Sequence, residues 1–104
     1  MTYTLRYHPS VANDLLVISE LVQDYAGPQT ARRKLAEIAE VARSLRTLPH
    51  RGTKRDHILP GLRAIPAARR AVIAFTIDED AREVLVIAIT YGGADWISRT
   101  GHRS

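Results

Sequence analysis

The sequence feature that most constrains the fold is a pair of apolar runs separated by a short charged linker. The runs are Ala71–Ile77 and Val84–Tyr91, and all but one of residues 78–83 between them are charged. Runs of this length that are rich in Val, Ile and Thr favour strands over helices. Because the linker is shorter than a parallel crossover requires, we expect the two strands to pair antiparallel. This hairpin is the predicted centre of the domain.

Alternate residues of a strand point to opposite faces, which divides the hairpin into a bulky face and a small face. We expect the bulky face to be the core side. The small face is too apolar for ordinary exposure to water, so we expect either the chain's own tail or another molecule to cover it. The predicted bulky face comprises Ala71, Ile73, Phe75 and Ile77 with Leu85, Ile87, Ile89 and Tyr91. The predicted small face comprises Arg70, Val72, Ala74 and Thr76 with Val84, Val86, Ala88 and Thr90.

The remaining segments predict a strand, two helices and a further strand. Residues 2–8 alternate in period two, with Tyr3, Leu5 and Tyr7 on the expected core face. Apolar residues recur at helical spacing from about residue 10 to residue 26. Gly27-Pro28 then separates a second helix, which Pro49 is expected to close. Leu62–Pro66 is a short strand candidate.

This order predicts an α+β fold. An N-terminal strand precedes an antiparallel helical hairpin, which packs on one face of a mainly antiparallel sheet of about four strands. The length of 104 residues predicts one domain over residues 1–104, with a tail from about residue 94 that is a short helix or frayed.

Composition excludes several classes of site. The chain has no cysteine, so disulfides and thiolate metal sites are absent. Its four histidines have no metal-ligand spacing, and we expect no metal and no cofactor. No apolar run approaches the ~20 residues of a membrane span, so we expect a cytoplasmic protein without membrane contact.

The net charge of +4 is concentrated between Arg46 and Arg70, a stretch that contains seven basic residues and one acid, Asp56. Such a patch attracts phosphates or an acidic protein partner, or simply keeps a loop solvated.

With this order of elements, the sequence resembles the ParE/RelE superfamily of type II toxin–antitoxin toxins, and within it ParE more closely. The resemblance covers about the whole chain. It implies a toxin that is neutralised by a cognate antitoxin encoded beside it. The motifs that carry it are Ala12…Asp14-Leu15…Ile18, Leu48-Pro49-His50-Arg51-Gly52, Pro60-Gly61-Leu62-Arg63-Ala64-Ile65-Pro66, the apolar hairpin and Tyr91-Gly92-Gly93-Ala94-Asp95.

The superfamily implies two alternative targets, DNA gyrase for ParE-like members and translated mRNA for RelE-like members. RNA cleavage needs a base, an acid and cations on the phosphate. Neither Val72–Ile77 nor Val84–Thr90 contains an ionisable side chain, and Ala94 stands where many ParE-like chains carry an arginine. We therefore expect a gyrase-binding inhibitor, with nucleic acid contacted only indirectly. A lysine, imidazole or carboxylate in a cleft beside Tyr91 would instead favour a ribosome-dependent endoribonuclease. The expected gyrase-contacting residues are Arg63, Arg69, Arg70 and Trp96, and the alternative catalytic set is Arg63, Arg69, Arg70 and Tyr91.

The small face of the hairpin suggests where the antitoxin binds. We expect a segment of the antitoxin, disordered when free, to lie over Val72, Ala74, Val86 and Ala88, or along the helical hairpin, with its acidic residues on the basic patch.

Tyr91 shares the predicted core face and is expected to be structural rather than catalytic. A third reading is a degenerate toxin that binds its antitoxin and harms nothing.

Overall fold

The computed structural model describes residues 2–93 and 96–103, and it has the predicted α+β fold. Its elements are β1 (Thr4–Tyr7), α1 (Val11–Ala26), α2 (Pro28–Ser44), β2 (Thr53–Lys54), β3 (Arg63–Ala67), β4 (Ala71–Asp78), β5 (Glu83–Tyr91) and α3 (Trp96–Arg103). Within the described part, five strands form one sheet in the order β1-β5-β4-β3-β2. β1 runs parallel to β5, and the other neighbouring pairs are antiparallel.

The helical hairpin forms where the sequence predicts it. Gly27 adopts a positive φ of 88°, and its amide donates to the carbonyl of Gln23, which ends α1 before Pro28 opens α2. Ile18, Val22 and Ile38 are buried on the sheet-facing sides of the two helices. The expected end of α2 is wrong, because the helix stops at Ser44 and residues 45–48 continue as tight turns.

The predicted faces of the hairpin are wrong for half of β5, because this strand contains a β-bulge. Ala74 pairs with Ala88 but the next residue, Phe75, pairs with Val86, so Ile87 is an extra residue in its strand. A bulge inserts one residue against the partner strand, and side chains on its two sides exchange faces. Sequence alternation carried through this position therefore assigns every residue before it to the wrong face.

Two valines move into the core as a result. Val84 and Val86 are fully buried with Ile73 and Phe75 under the helices, whereas Leu85 lies on the opposite face and is 37% exposed. β1, an edge strand, packs less completely than expected. Tyr3 and Leu5 contact the core, but Tyr7 is half exposed.

The small face of the sheet is covered by the chain itself, which is the first of the two expected alternatives. Leu62, Ala74, Ile87 and Ala88 form a second buried cluster, against which Ile58 and Leu59 of the β2–β3 connection pack. α3 contacts both β5 and β4, and its residue Thr100 is fully buried. The expected exposed surface at Ala74, Val86 and Ala88 is therefore wrong, since none of these side chains is exposed and Val72 is half-buried.

An ion pair ties α3 to α1 at the edge of β5. β1 ends at Tyr7, opposite Val86, so the later part of β5 has no strand on that side. Asp14 of α1 accepts a hydrogen bond from the amide of Ile89 at 3.0 Å. Arg103 of α3 donates to both oxygens of Asp14, at 2.5 and 2.8 Å, and to the carbonyl of Ile87 at 3.1 Å. The two side chains thus occupy backbone groups that a further strand would otherwise pair.

Of the helices in the described part of the chain, none combines the length and the apolar character that crossing a bilayer requires.

Candidate functional site

The basic residues expected at one site lie at opposite ends of β3. Arg63 opens the strand and pairs with Phe75, whereas Arg69 and Arg70 lie in the turn after Ala67. Four strand steps of about 3.3 Å separate Arg63 from that turn by roughly 13 Å. The structure therefore brings Arg70 to Tyr91 but does not bring Arg63 to either residue.

The group at the turn is a cluster of four side chains, Tyr25, Lys34, Arg70 and Tyr91, which we call the tyrosine cluster. Tyr91 ends β5 opposite Ala71, which places it beside Arg70. The hydroxyls of Tyr25 and Tyr91 are hydrogen bonded at 2.8 Å. The guanidinium carbon of Arg70 lies 5.7 Å from the centre of the Tyr91 ring, and Lys34 Nζ lies 5.9 Å from it. Both distances are within cation–π range.

Tyr91 is buried in the core cluster, as expected for a structural tyrosine, and Tyr25 is half exposed. The hydrogen bond with Tyr91 is the main cause that raises the pKa of Tyr25, and the charges of Lys34 and Arg70 oppose that shift. Tyr25 therefore stays protonated at neutral pH, where it can donate a hydrogen bond but cannot act as a base.

Lys34 lies beside Tyr91, where a lysine is expected from the sequence to favour the endoribonuclease, so this observation supports the cleavage alternative. Its ammonium also donates to the carbonyl of Ala68 at 3.3 Å, which fixes it on the β3–β4 turn. Ala68 and Arg69 have positive φ values of 50° and 69°, a conformation that side-chain-bearing residues adopt at a cost. The turn directs Arg69 and Arg70 into solvent.

A second group lies at the other end of β3, in a cleft of about 200 Å³ that we call the Arg63 cleft. His50 Nε2 lies 2.6 Å from one oxygen of Glu79, and the Tyr3 hydroxyl donates to the other oxygen at 2.7 Å. Arg63 donates to the carbonyl of Arg51 at 3.4 Å. The cleft is lined by His50, Lys54, Asp56, Gly61, Leu62, Arg63, Ile77 and Glu79.

Hydrogen bonds favour the charged form of Glu79 in this cleft. The bond from Tyr3, followed by the bond with His50, lowers the pKa of Glu79. Glu79 is therefore a carboxylate at neutral pH, and it orients the imidazole of His50. Sequence reasoning treated the histidines as scattered, and it missed this pair because 29 positions separate the two residues. The available signal was that His50 lies in the motif Leu48-Pro49-His50-Arg51-Gly52.

An apolar groove of about 370 Å³ runs between the helical hairpin and the end of β1. It is open to solvent, and most of its lining is aliphatic. This groove lies on the helical hairpin, which is the second of the two places where an antitoxin segment is expected from the sequence to bind. The residues that line it are Tyr7, His8, Pro9, Val11, Ala12, Leu15, Leu35, Ile38, Ala39, Ala42 and Ile89.

Several residues that the sequence singles out lie wholly or partly outside the described part of the structure, among them Asp95 and the side chain of His102. The backbone of Trp96 begins α3, but its side chain lies outside the described part of the structure, as does all of Ala94.

Comparison with known proteins gives a family and a fold. The family described as "ParE toxin of type II toxin-antitoxin system, parDE" matches residues 5–96. No protein of curated function matches the sequence at a significant level. A structure of the chromosomal ParDE toxin–antitoxin system from P. aeruginosa is similar at 22% identity with a TM-score of 0.73, covering 86% of this chain and 96% of that one.

Two further structures share the fold at lower identity. The toxin–antitoxin complex RelBE2 from Mycobacterium tuberculosis has a TM-score of 0.63 at 18% identity, with 88% of this chain and 100% of that chain covered. A mutant of the E. coli toxin RelE in the free state has a TM-score of 0.64 at 11% identity, with 98% and 96% covered. At these identities the likeness concerns the fold alone.

Proposed function

Because this chain belongs to the ParE toxin family of type II toxin–antitoxin systems, we propose that it is a toxin that inhibits DNA gyrase by binding and is neutralised by a cognate antitoxin. The proposed site of action is the cytoplasm. The observation that carries the choice of gyrase is the family match over residues 5–96. The absence of ionisable side chains from Val72–Ile77 and Val84–Thr90 supports binding rather than catalysis.

The basic turn after β3 is the proposed gyrase contact. Arg69 and Arg70 are exposed there, on a strained turn that joins the paired strands β3 and β4. Arg63 and Trp96 remain proposed contacts, Arg63 at the far end of the same strand. Exposed cations on a rigid element increase the rate and specificity of association with an acidic surface.

A supercoiling assay with purified gyrase tests this proposal. The wild-type chain is expected to inhibit supercoiling, Arg69→Glu is expected to abolish inhibition, and Arg32→Glu on the exposed side of α2 is the matched control. No inhibition by the wild-type chain at stoichiometric excess would remove gyrase as the target. Equal loss in both variants would show that net charge, rather than the turn, is responsible.

The proposed antitoxin site is the apolar groove on the helical hairpin, since the small face of the sheet is already filled. An amphipathic segment could bury apolar side chains there while its acidic residues meet the basic patch. Ala12→Arg places a charge in the groove at an exposed position. The matched control, Ala36→Arg, places a charge at an exposed position of α2 that does not line the groove. Calorimetry with the product of the neighbouring reading frame is expected to show weaker binding for Ala12→Arg only. Unchanged affinity would exclude the groove.

The Arg63 cleft supports a second candidate function, ribosome-dependent cleavage of mRNA. An imidazole oriented by a carboxylate can act as a base, and Lys54 and Arg63 supply cations for a phosphate. Under this second candidate, primer extension on translated mRNA after induction shows cuts. These cuts disappear in His50→Gln and persist in the control His57→Gln, which replaces a histidine that does not line the cleft. Growth arrest without cuts excludes cleavage. Overexpression without growth arrest favours a degenerate toxin.

A further inference from the structure

We propose that the tyrosine cluster is a binding site for a phosphate group. Lys34 from α2, Arg70 from the β3–β4 turn and the Tyr25 hydroxyl from α1 converge around the ring of Tyr91. This site is distinct from the Arg63 cleft, because it lies at the opposite end of β3 and uses residues of both helices. The inference does not depend on gyrase being the target.

The positive charge of the site is not neutralised within the described part of the chain. The ion pairs found there join Arg6 to Glu83, Arg33 to Glu37, Arg43 to Glu40, His50 to Glu79 and Arg103 to Asp14. No carboxylate of residues 2–93 or 96–103 forms such a pair with Lys34, Arg69 or Arg70. Lys34 and Arg70 beside the Tyr91 ring, with no carboxylate paired to either, create a local positive potential that favours a phosphate anion.

The hydrogen-bond donors of the cluster outnumber its acceptors. Lys34 has three N–H groups and uses one on the carbonyl of Ala68. Arg70 has five N–H groups, and no acceptor for its side chain is found among the described residues. In the bond between the Tyr25 and Tyr91 hydroxyls either phenol can be the donor, and when Tyr91 donates, the half-exposed Tyr25 keeps its own O–H for an anion. An anionic acceptor would satisfy donors from three separate elements at once.

The shape of the donor set favours phosphate over carboxylate. A carboxylate presents two oxygens in one plane, whereas a phosphate presents three or more terminal or bridging oxygens in different directions. An ammonium, a guanidinium and a hydroxyl that approach from α2, the β3–β4 turn and α1 match the second arrangement.

Backbone hydrogen bonds fix the turn that carries Arg70 in the absence of a ligand. The amide of Arg70 donates to the carbonyl of Ala68 at 2.8 Å, and the amide of Gly92 donates to the carbonyl of Arg70 at 3.0 Å. The turn and the end of β5 are thereby joined beside Tyr91. A site that is already arranged loses little entropy when it binds a small ion.

An NMR titration of the whole chain with inorganic phosphate tests the proposal. At constant ionic strength, phosphate is expected to give saturable shifts of the Arg70 and Gly92 amides, whereas acetate gives none that saturate. Lys34→Gln and Arg70→Gln are each expected to raise the phosphate Kd about ten-fold, because each removes a charge-assisted hydrogen bond. Tyr25→Phe, which keeps the ring, is expected to raise it about five-fold.

Arg33→Gln is the matched control, since it removes one charge from the same helix turn but from a residue that pairs with Glu37. It is expected to leave the Kd within about two-fold, and the amide spectrum of each variant verifies that it is folded. Absence of saturable binding, equal binding of acetate, or an equal effect of Arg33→Gln would overturn the proposal.

Two further ligands distinguish the sources of the phosphate. Thymidine 5′-monophosphate carries a terminal monoester, and an oligothymidylate without terminal phosphates carries only backbone diesters. Binding of the nucleotide alone identifies a terminal phosphate as the ligand, and binding of the oligomer identifies a nucleic-acid backbone. If inorganic phosphate binds but gyrase is not inhibited, the site stands and the proposed function fails.

Discussion

Replacing Asp14 by alanine tests whether one buried carboxylate holds α3 against the sheet. Asp14 is 2% exposed and accepts two hydrogen bonds from Arg103 and one from the amide of Ile89. Arg103 in turn reaches the carbonyl of Ile87. The substitution removes the acceptor for all three donors, so it acts on α1, β5 and α3 together.

The loss of stability in Asp14→Ala depends on the charge of Arg103, which is left without this partner. Removing one partner of a buried ion pair costs about 3–5 kcal/mol, because the other charge stays without compensation. The side chain of Arg103 is 14% exposed, so it can turn partly towards water and the lower end applies. We therefore expect Asp14→Ala to lower the free energy of unfolding by about 3 kcal/mol. For a chain of this length, that corresponds to a fall in Tm of roughly 12–24 °C.

Thermal unfolding followed by circular dichroism measures this change. Asp24→Asn, at an exposed position of the same helix, is the control and is expected to change stability by less than about 0.5 kcal/mol. In an Arg103→Ala background, Asp14→Ala is expected to cost less, about 1–2 kcal/mol, since Ile89 then loses its acceptor but the charge of Arg103 is already gone. Equal costs in the two backgrounds would refute the coupling between α1 and α3.

Four further substitutions test the backbone at two glycines, the β-bulge and the pKa of Glu79. Gly52→Ala is expected to destabilise by about 2 kcal/mol or more in chemical denaturation, because its Cβ would overlap a carbonyl oxygen of β3, whereas Gly61→Ala has open space and should cost about 1 kcal/mol from its positive φ alone. Val86→Ala should cost about 2–3 kcal/mol, and a cost below about 1 kcal/mol would place that side chain outside the core. Tyr3→Phe should raise the pKa of Glu79 towards 4.5 in a carbon-detected NMR titration. The lowered pKa of Glu79 means that its bonds stabilise the fold above that ordinary value and lose their effect as pH falls through the lowered one.

Local patterns predicted the elements of this fold well. The helical spacing of Ile18 and Val22, the Gly27-Pro28 break and the two apolar runs each depend on residues that are close in sequence. Their order leaves few ways to cover one face of the sheet with a helical hairpin. The fold class therefore followed from the sequence, although the end of α2 did not.

The faces of β5 could not be predicted because a bulge has no fixed residue signature. Ile87 is an ordinary strand residue, and nothing about it marks the position at which alternation shifts. The shift becomes visible only in the pairing with β4. It exchanges Val86 for Leu85 at the core, and with that exchange the expected exposed docking surface disappears.

The side-chain groups were missed because they join residues that are far apart in the chain. Tyr25 and Tyr91 are separated by 66 positions, and Asp14 and Arg103 by 89. Asp14 has an ordinary local explanation as an acid in the first turn of a helix, which conceals its role as the acceptor for α3. The packing of both α1 and α3 against β5 brings these partners together.

The separation of Arg63 from Arg70 decides how the two proposed activities can be told apart. Arg63 opens β3 and pairs with Phe75, whereas Arg70 follows the other end of that strand, so in this structure the two arginines belong to two separate side-chain groups. The structure places Arg70 against the Tyr91 ring and Arg63 in the cleft with His50 and Glu79. Cleavage in the Arg63 cleft is expected to depend on His50 and Arg63 and to be insensitive to Arg70→Gln. Phosphate binding at the tyrosine cluster has the opposite dependence, and each variant serves as the control for the other.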